Sequence, residues 1–172
     1  MIRIYPRFET QEEAIEAYIA IGMVATNWGP VEHAMESVMI LVRFHQAECA
    51  SNQFPVSFKK KSAEIKRRMN DTRIAESIER RIRSLISDAA LLHKIRTDVV
   101  HSRLQGKRLD GRIEFSKSDL NKGYSSAPTY YTAQELVAAS EKMQTTAQGL
   151  IDCFNELRDM LLGVQIPNPR RK

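Results

Sequence analysis

The stretch Ile78-Glu79-Arg80-Arg81-Ile82-Arg83-Ser84-Leu85-Ile86-Ser87-Asp88-Ala89-Ala90-Leu91-Leu92-His93-Lys94-Ile95-Arg96-Thr97-Asp98-Val99 decides the reading of this chain. Ile78, Ile82, Leu85, Ala89, Leu92, Arg96 and Val99 recur at alternating steps of three and four residues, the period of a helix with one face turned inward. Arg96 falls on that apolar seam. Burying an unpaired guanidinium is costly, so the pattern predicts a carboxylate (Glu32 is the candidate), carbonyls or a bound anion beside it.

Working outward, Thr10 with Glu13 forms a capping box for a helix over residues 12–22, and Ile15, Tyr18, Ile19 and Gly22 are its expected inward face. Thr26-Asn27-Trp28-Gly29-Pro30 is expected to kink or break that helix. Val31, Met35, Val38 and Val42 then define a second stripe, widened by Ala34, Leu41 and His45. Residues 50–58 read as a loop, 59–69 as a short helix, and Asn70-Asp71-Thr72 as the restart before the long seam. From Gln105 to Tyr131 the glycines and Pro128 break up short alternating pieces, 112–116 and 129–131, which read as a small β-hairpin or ordered loop. Thr132 and Glu135 cap a last helix with Leu136, Ala139, Met143, Ala147, Leu150, Phe154, Leu157 and Leu161 on its seam and Gly163 at its end. Trp28 and Met35, Met39, Met143 and Met160 are assigned to the core. The expected fold is all-α, a four- to five-helix bundle with the hairpin or loop inserted before the last helix. One domain over 1–166 and a loose basic tail over 167–172 are expected.

Composition narrows the class. At 42% hydrophobic and 27% charged residues, neither disorder nor a fibrous repeat is indicated. The apolar run Val38-Met39-Ile40-Leu41-Val42 falls far short of the ~20 residues that span a bilayer. The first seven residues carry no apolar signal core, and Cys49 and Cys153 are the only cysteines, so a reducing cytoplasm is expected. Charge is uneven, with ten basic residues against four acidic ones between Lys59 and Arg83, enough to hold a polyanion such as RNA. The candidates for that role are Lys59, Lys60, Lys61, Lys66, Arg67 and Arg68, with Arg103 further on. The competing reading is a solvated face laced by pairs such as Glu76 with Arg80 and Glu79 with Arg83.

The chemistry centres on Arg96-Thr97-Asp98-Val99-Val100-His101. A guanidinium is a permanent planar donor for phosphate oxygens, and an imidazole can act as acid or base near neutrality. With 16 Arg and 4 His in the chain, such a spacing arises about once by chance, so context must carry it. On a straight helix the two residues stand about 140° and ~7.5 Å apart. They therefore meet only if the helix bends, or if two copies of the motif face each other across a two-fold axis. In the second arrangement two histidines can serve as general base and general acid while Arg96 stabilises the phosphorane-like transition state. The competing reading makes His101 a helix-end histidine and Arg96 a structural ion-pair partner. His93, Thr97 and His101 recur every four residues along one face, so His93 could assist. His45 and Cys49 are i,i+4, but no second ligand pair supports a metal, and no Gly-rich phosphate loop or nucleophile elbow points to a cofactor.

Leu91-Leu92 leading into Arg96-Thr97-Asp98-Val99-Val100-His101, followed by a glycine-containing loop and a closing helix, resembles the Arg-x4-6-His motif of the HEPN superfamily. Trp28-Gly29-Pro30-Val31-Glu32 is similar to the first-helix region of its bacterial members, and the resemblance extends over residues 12–163. It implies a helical bundle acting as a metal-independent endoribonuclease in defence or stress response. It further implies a homodimer with Arg96 and His101 as catalytic residues and Thr97, Asp98, His93 and Glu32 in support. A neutralising or regulatory protein partner fits the same picture. Thr97 stands where many members carry Asn. Arg103 stands where the toxin branch carries a Tyr modified by a partner nucleotidyltransferase, which argues against that pairing. The family also contains non-catalytic domains that bind nucleotide, nucleic acid or protein, the competing function.

Overall fold

The computed structural model describes residues 7–45, 55–72, 74–119, 124–125 and 127–163. Cys49 and the tail 167–172 lie outside the described residues. Among the described residues the protein is mostly helical, with four helices and a small antiparallel sheet inserted before the last: α1 (Gln11–His45), α2 (Phe58–Asp71), α3 (Glu76–Val100) and α4 (Ala133–Leu161). No helix among the described residues is long and apolar enough to cross a membrane.

Of the kink or break expected at residues 26–30, the break does not occur: α1 runs through Pro30 for 35 residues. Ala17, Ala20, Val24, Trp28, Val31, Met35, Val38 and Val42 are all buried and follow one another at steps of three and four, on both sides of the proline. A proline inside a helix costs about 3 kcal/mol. Burying Trp28 and Val31, its near neighbours on the stripe, contributes roughly 1.5–3 kcal/mol each. A break would throw the two halves of the stripe out of phase, and the exposed Pro30 ring lets the lost backbone bond face outward. The same stripe corrects the expected inward face of the first turns. Ile15, Tyr18 and Ile19 are about half exposed, and the small Ala17 and Ala20 lie inside.

Helix ends follow local chemistry. Thr10 Oγ1 accepts from the Glu13 amide at 3.2 Å, although the Glu13 carboxylate reaches back to Glu9 N rather than to Thr10. At α4 the box is reciprocal: Glu135 N donates to Thr132 Oγ1 at 3.1 Å and Thr132 N to Glu135 Oε2 at 2.7 Å. Past α4, Gly163 adopts φ +66°, the left-handed stop that glycine takes without strain.

The insert is richer than a hairpin. Strands β1 (Arg103–Lys107), β2 (Ile113–Ser116) and β5 (Thr129–Tyr131) form an antiparallel sheet in the order β1-β2-β5, while β3 (Ser118–Asp119) pairs with β4 (Tyr124–Ser125). Ile113 lies opposite Lys107 and Tyr131, and Phe115 opposite Leu104 and Thr129. Ile113 and Phe115 point into the core, each 1% exposed. Arg7 adds a parallel bridge at Gly106, with Arg7 N on Gln105 O at 2.9 Å and Lys107 N on Arg7 O at 2.8 Å. Gly106 has φ +130°, and a Cβ there would collide with the Arg7 backbone.

The described residues pack as two compact units, to which α1, α3 and α4 each contribute. The first, residues 7–29 and 90–144, holds the sheet and buries Val24, Trp28, Leu92, Val99, Ile113, Phe115, Leu136 and Met143. The second, residues 30–89 and 145–163, holds α2 and buries Met35, Met39, Ile65, Met69, Ile82, Ile86, Leu150 and Leu157. Met160, expected in the core, is 37% exposed because it falls outside the α4 stripe that Cys153 and Leu157 follow.

Candidate active site

α3 ends at Val100, and that end brings the motif together. The His101 amide still bonds Thr97 O at 3.1 Å, but the chain then turns into β1. Freed from helical phase, the His101 ring swings back so that Nε2 lies 2.9 Å from Arg96 Nη1. The 140° separation of a straight helix thus does not apply, and the pair meets within one chain. A guanidinium only donates, so Nε2 accepts through its lone pair and the ring proton sits on Nδ1. His101 is exposed and Arg96 half-buried.

Among the described residues Arg96 has no carboxylate partner, and its one side-chain hydrogen bond is to His101. Of the carboxylate, carbonyls or bound anion expected beside Arg96, the carboxylate is not found among the described residues. Glu32, the proposed partner, instead lies 3.6 Å from Lys61. The seam around Arg96 continues through Leu92 and Val99, both 5% exposed, while the long arginine stem lifts its head toward solvent.

Two residues on, Asp98 is 2% exposed and fully engaged. Its Oδ2 accepts from Lys94 Nζ and Tyr131 Oη, each at 2.8 Å, and its Oδ1 from Lys117 Nζ at 2.5 Å. Burial pushes the carboxyl up, but hydrogen bonds from Lys117, Lys94 and Tyr131, with the Lys117 charge, outweigh it and hold it below the ordinary aspartate value. Burial and the bond to Asp98 push the Tyr131 phenol well above its ordinary value. Asp98 thus ties the last turns of α3 to the ends of β2 and β5, beside the point where His101 leaves the helix. The Lys94–Asp98 spacing of four was visible in the sequence; Lys117 and Tyr131 were not, because only the fold brings them in.

The remaining candidates separate. The His93 ring packs on Trp28, with centroids 5.3 Å apart. The hydroxyls of Thr97 and Ser102 are shielded from solvent and without a hydrogen-bond partner among the described residues. In the basic band, Lys61 and Arg68 are buried in ion pairs with Glu36 at 2.5 Å and Glu64 at 2.9 Å, so their charges are already matched within the fold. Lys59, Lys60 and Arg67 are exposed and Lys66 half-buried. Glu76–Arg80 and Glu79–Arg83 form as expected, at 2.5 and 2.7 Å, and Arg81 makes a two-pronged contact with Glu156. The band belongs to the second unit; Arg96, His101 and the exposed Arg103 belong to the first.

A groove of about 650 Å³ opens beside Arg7, Lys107, Arg108 and Glu114, and the Lys107 and Arg108 side chains are engaged. Lys107 bonds Glu13 at 3.1 Å, and Arg108 and Arg112 lie over the Tyr130 ring at 5.0 and 5.2 Å. No group of three or more His, Cys, Asp or Glu side chains suited to a metal occurs among the described residues. Comparison of the chain with protein-family models, curated proteins and solved structures gives no match.

Proposed function

We propose that this chain is a metal-independent endoribonuclease of the HEPN type, acting in the cytoplasm in defence or stress response. The supporting observation is the exposed Arg96–His101 contact of 2.9 Å, a guanidinium with no acidic partner among the described residues beside an imidazole with its lone pair directed at it. An arginine whose charge is not already cancelled retains N–H groups for two phosphate oxygens. In the proposed reaction the RNA phosphate takes the place of His101 on Arg96. His101 Nε2 removes the proton from the ribose 2′-hydroxyl, the 2′-oxygen attacks phosphorus, and the P–O5′ bond breaks. Arg96 balances the charge gathering on the equatorial oxygens. The departing 5′-oxygen needs a proton, which one histidine acting as base cannot simultaneously supply. A homodimer that presents a second His101, in its protonated form, across a two-fold axis would provide it and leave that ring neutral. Products are a 2′,3′-cyclic phosphate and a 5′-hydroxyl. Lys59, Lys60, Lys66, Arg67 and Arg103 remain as candidates for the RNA backbone. A regulatory protein partner would control the activity.

The test is cleavage of a labelled single-stranded RNA in EDTA. Cyclic-phosphate ends from the unaltered protein, and a loss of about 100- to 10,000-fold in His101→Ala, are expected. Undiminished cleavage by that variant, or none by the unaltered protein, would leave the non-catalytic binding module as the better reading.

A further inference from the structure

Independently of that reading, the first unit carries an apolar groove of about 530 Å³ between α1 and α4. Its walls are Ile15 and Ile19, one turn apart on α1, facing Val137 and Ala138 on α4. Ile15 is 49% and Ile19 57% exposed, although α1 had the small Ala17 and Ala20 to offer its own core. Single exposed aliphatics are ordinary on a protein surface, but a continuous concave strip of them between two helices is the shape that receives a third helix.

The rim selects the occupant. Among the described residues, Glu12, Glu16 and Glu141 border the groove, no lysine, arginine or histidine lines it, and none of the three carboxylates is in an ion pair. A second copy docking the same face about a two-fold axis would bring these carboxylates against their own equivalents. Head-to-tail docking of copies would not close and would build filaments. An anionic lipid surface or a nucleic acid meets the same repulsion. We propose that the groove receives an amphipathic helix of another protein, one with aliphatic residues at i, i+3, i+4 and i+7 and lysine or arginine flanking that stripe.

Two synthetic helical peptides of about 18 residues, five turns, provide the probe. Both carry the same leucine stripe; one is flanked by lysines and the other by glutamates. Fluorescence anisotropy with the full chain should show the lysine peptide binding at least about tenfold more tightly, with the preference weakening in salt. Ile15→Asp with Ile19→Asp should remove that binding without lowering the melting temperature, since both side chains are already half exposed. Glu12→Lys, Glu16→Lys and Glu141→Lys together should reverse the preference toward the glutamate peptide, a gain that damage to the fold cannot mimic. Equal binding of the two peptides, or lysine-peptide binding indifferent to the isoleucine pair, overturns the proposal. So does a shift from dimer to monomer in the isoleucine variant by sedimentation, which would assign the groove to a second copy. RNA cleavage measured on the same variants keeps the two readings separate, because neither Arg96 nor His101 lines the groove.

Discussion

Arg96 and Asp98 stand two residues apart on α3 and have opposite surroundings. Asp98 is buried, and three donors from α3, the residue after β2 and β5 saturate it. Arg96 rises toward solvent with one imidazole neighbour and spare donors. A buried charge must be matched by the fold itself, so saturation of Asp98 marks a structural role. A charge left at the surface without its counter-charge stabilises little and is available to a ligand. The contrast separates the residue that holds the site in shape from the pair proposed to act.

The largest expected effect lies on the open side. Arg96→Ala should reduce RNA cleavage by about 100-fold or more, the scale of losing one oxyanion donor, while stability changes by no more than about 0.5 kcal/mol. A buried acidic partner stranded by the change would raise that loss to about 3 kcal/mol or more, and none stands beside Arg96 among the described residues. Thermal melts beside rate measurements decide the point; a large drop in stability would break the contrast.

Asp98→Asn should behave the other way, with a stability loss of about 2–3 kcal/mol. Lys94 is largely exposed and Lys117 partly so, and both rehydrate when released, which keeps the figure at the low end. Because the folded carboxyl titrates below its unfolded value, its contribution is whole above the ordinary aspartate range and disappears as pH falls through the folded value. Denaturant unfolding from pH 7 down to pH 2 should therefore show a steeper acid loss in the unaltered protein than in Asp98→Asn. Parallel curves would deny Asp98 its assigned weight. The smallest effect belongs to Arg80→Ala, which breaks a fully surface i,i+4 pair and should cost about 0.3–0.5 kcal/mol in the same unfolding measurement, less in salt.

Legibility followed the range of the interaction. The α4 seam and its Thr132–Glu135 box were readable because every partner lies within four residues. Phase on α1 is not legible from bulk within residues 12–22, ahead of the kink or break expected at residues 26–30: the large Ile15, Tyr18 and Ile19 face outward. Carried through the proline, the Ala17-to-Val42 stripe settles the phase, and alanines occupy it where neighbours approach closely. Strand β1 was invisible: Arg103-Leu104-Gln105-Gly106-Lys107 has no strong alternation, and its pairing depends on Arg7 and β2. At the site, the identities of Arg96 and His101 were legible and their contact was not, since five residues on a continuing helix point apart. The helix end at Val100 reverses that conclusion.

The methionines give the molecule a built-in chemical reporter. Met35, Met39 and Met69 of the second unit and Met143 of the first are at most 1% exposed, whereas Met160 is 37% exposed. Peroxide reaches Met160 in the native state, but the four buried thioethers become sulfoxides only when the surrounding helices open. Mass mapping of sulfoxide accumulation, with Met160 setting the intrinsic rate, therefore reads the opening of each unit separately, without any label.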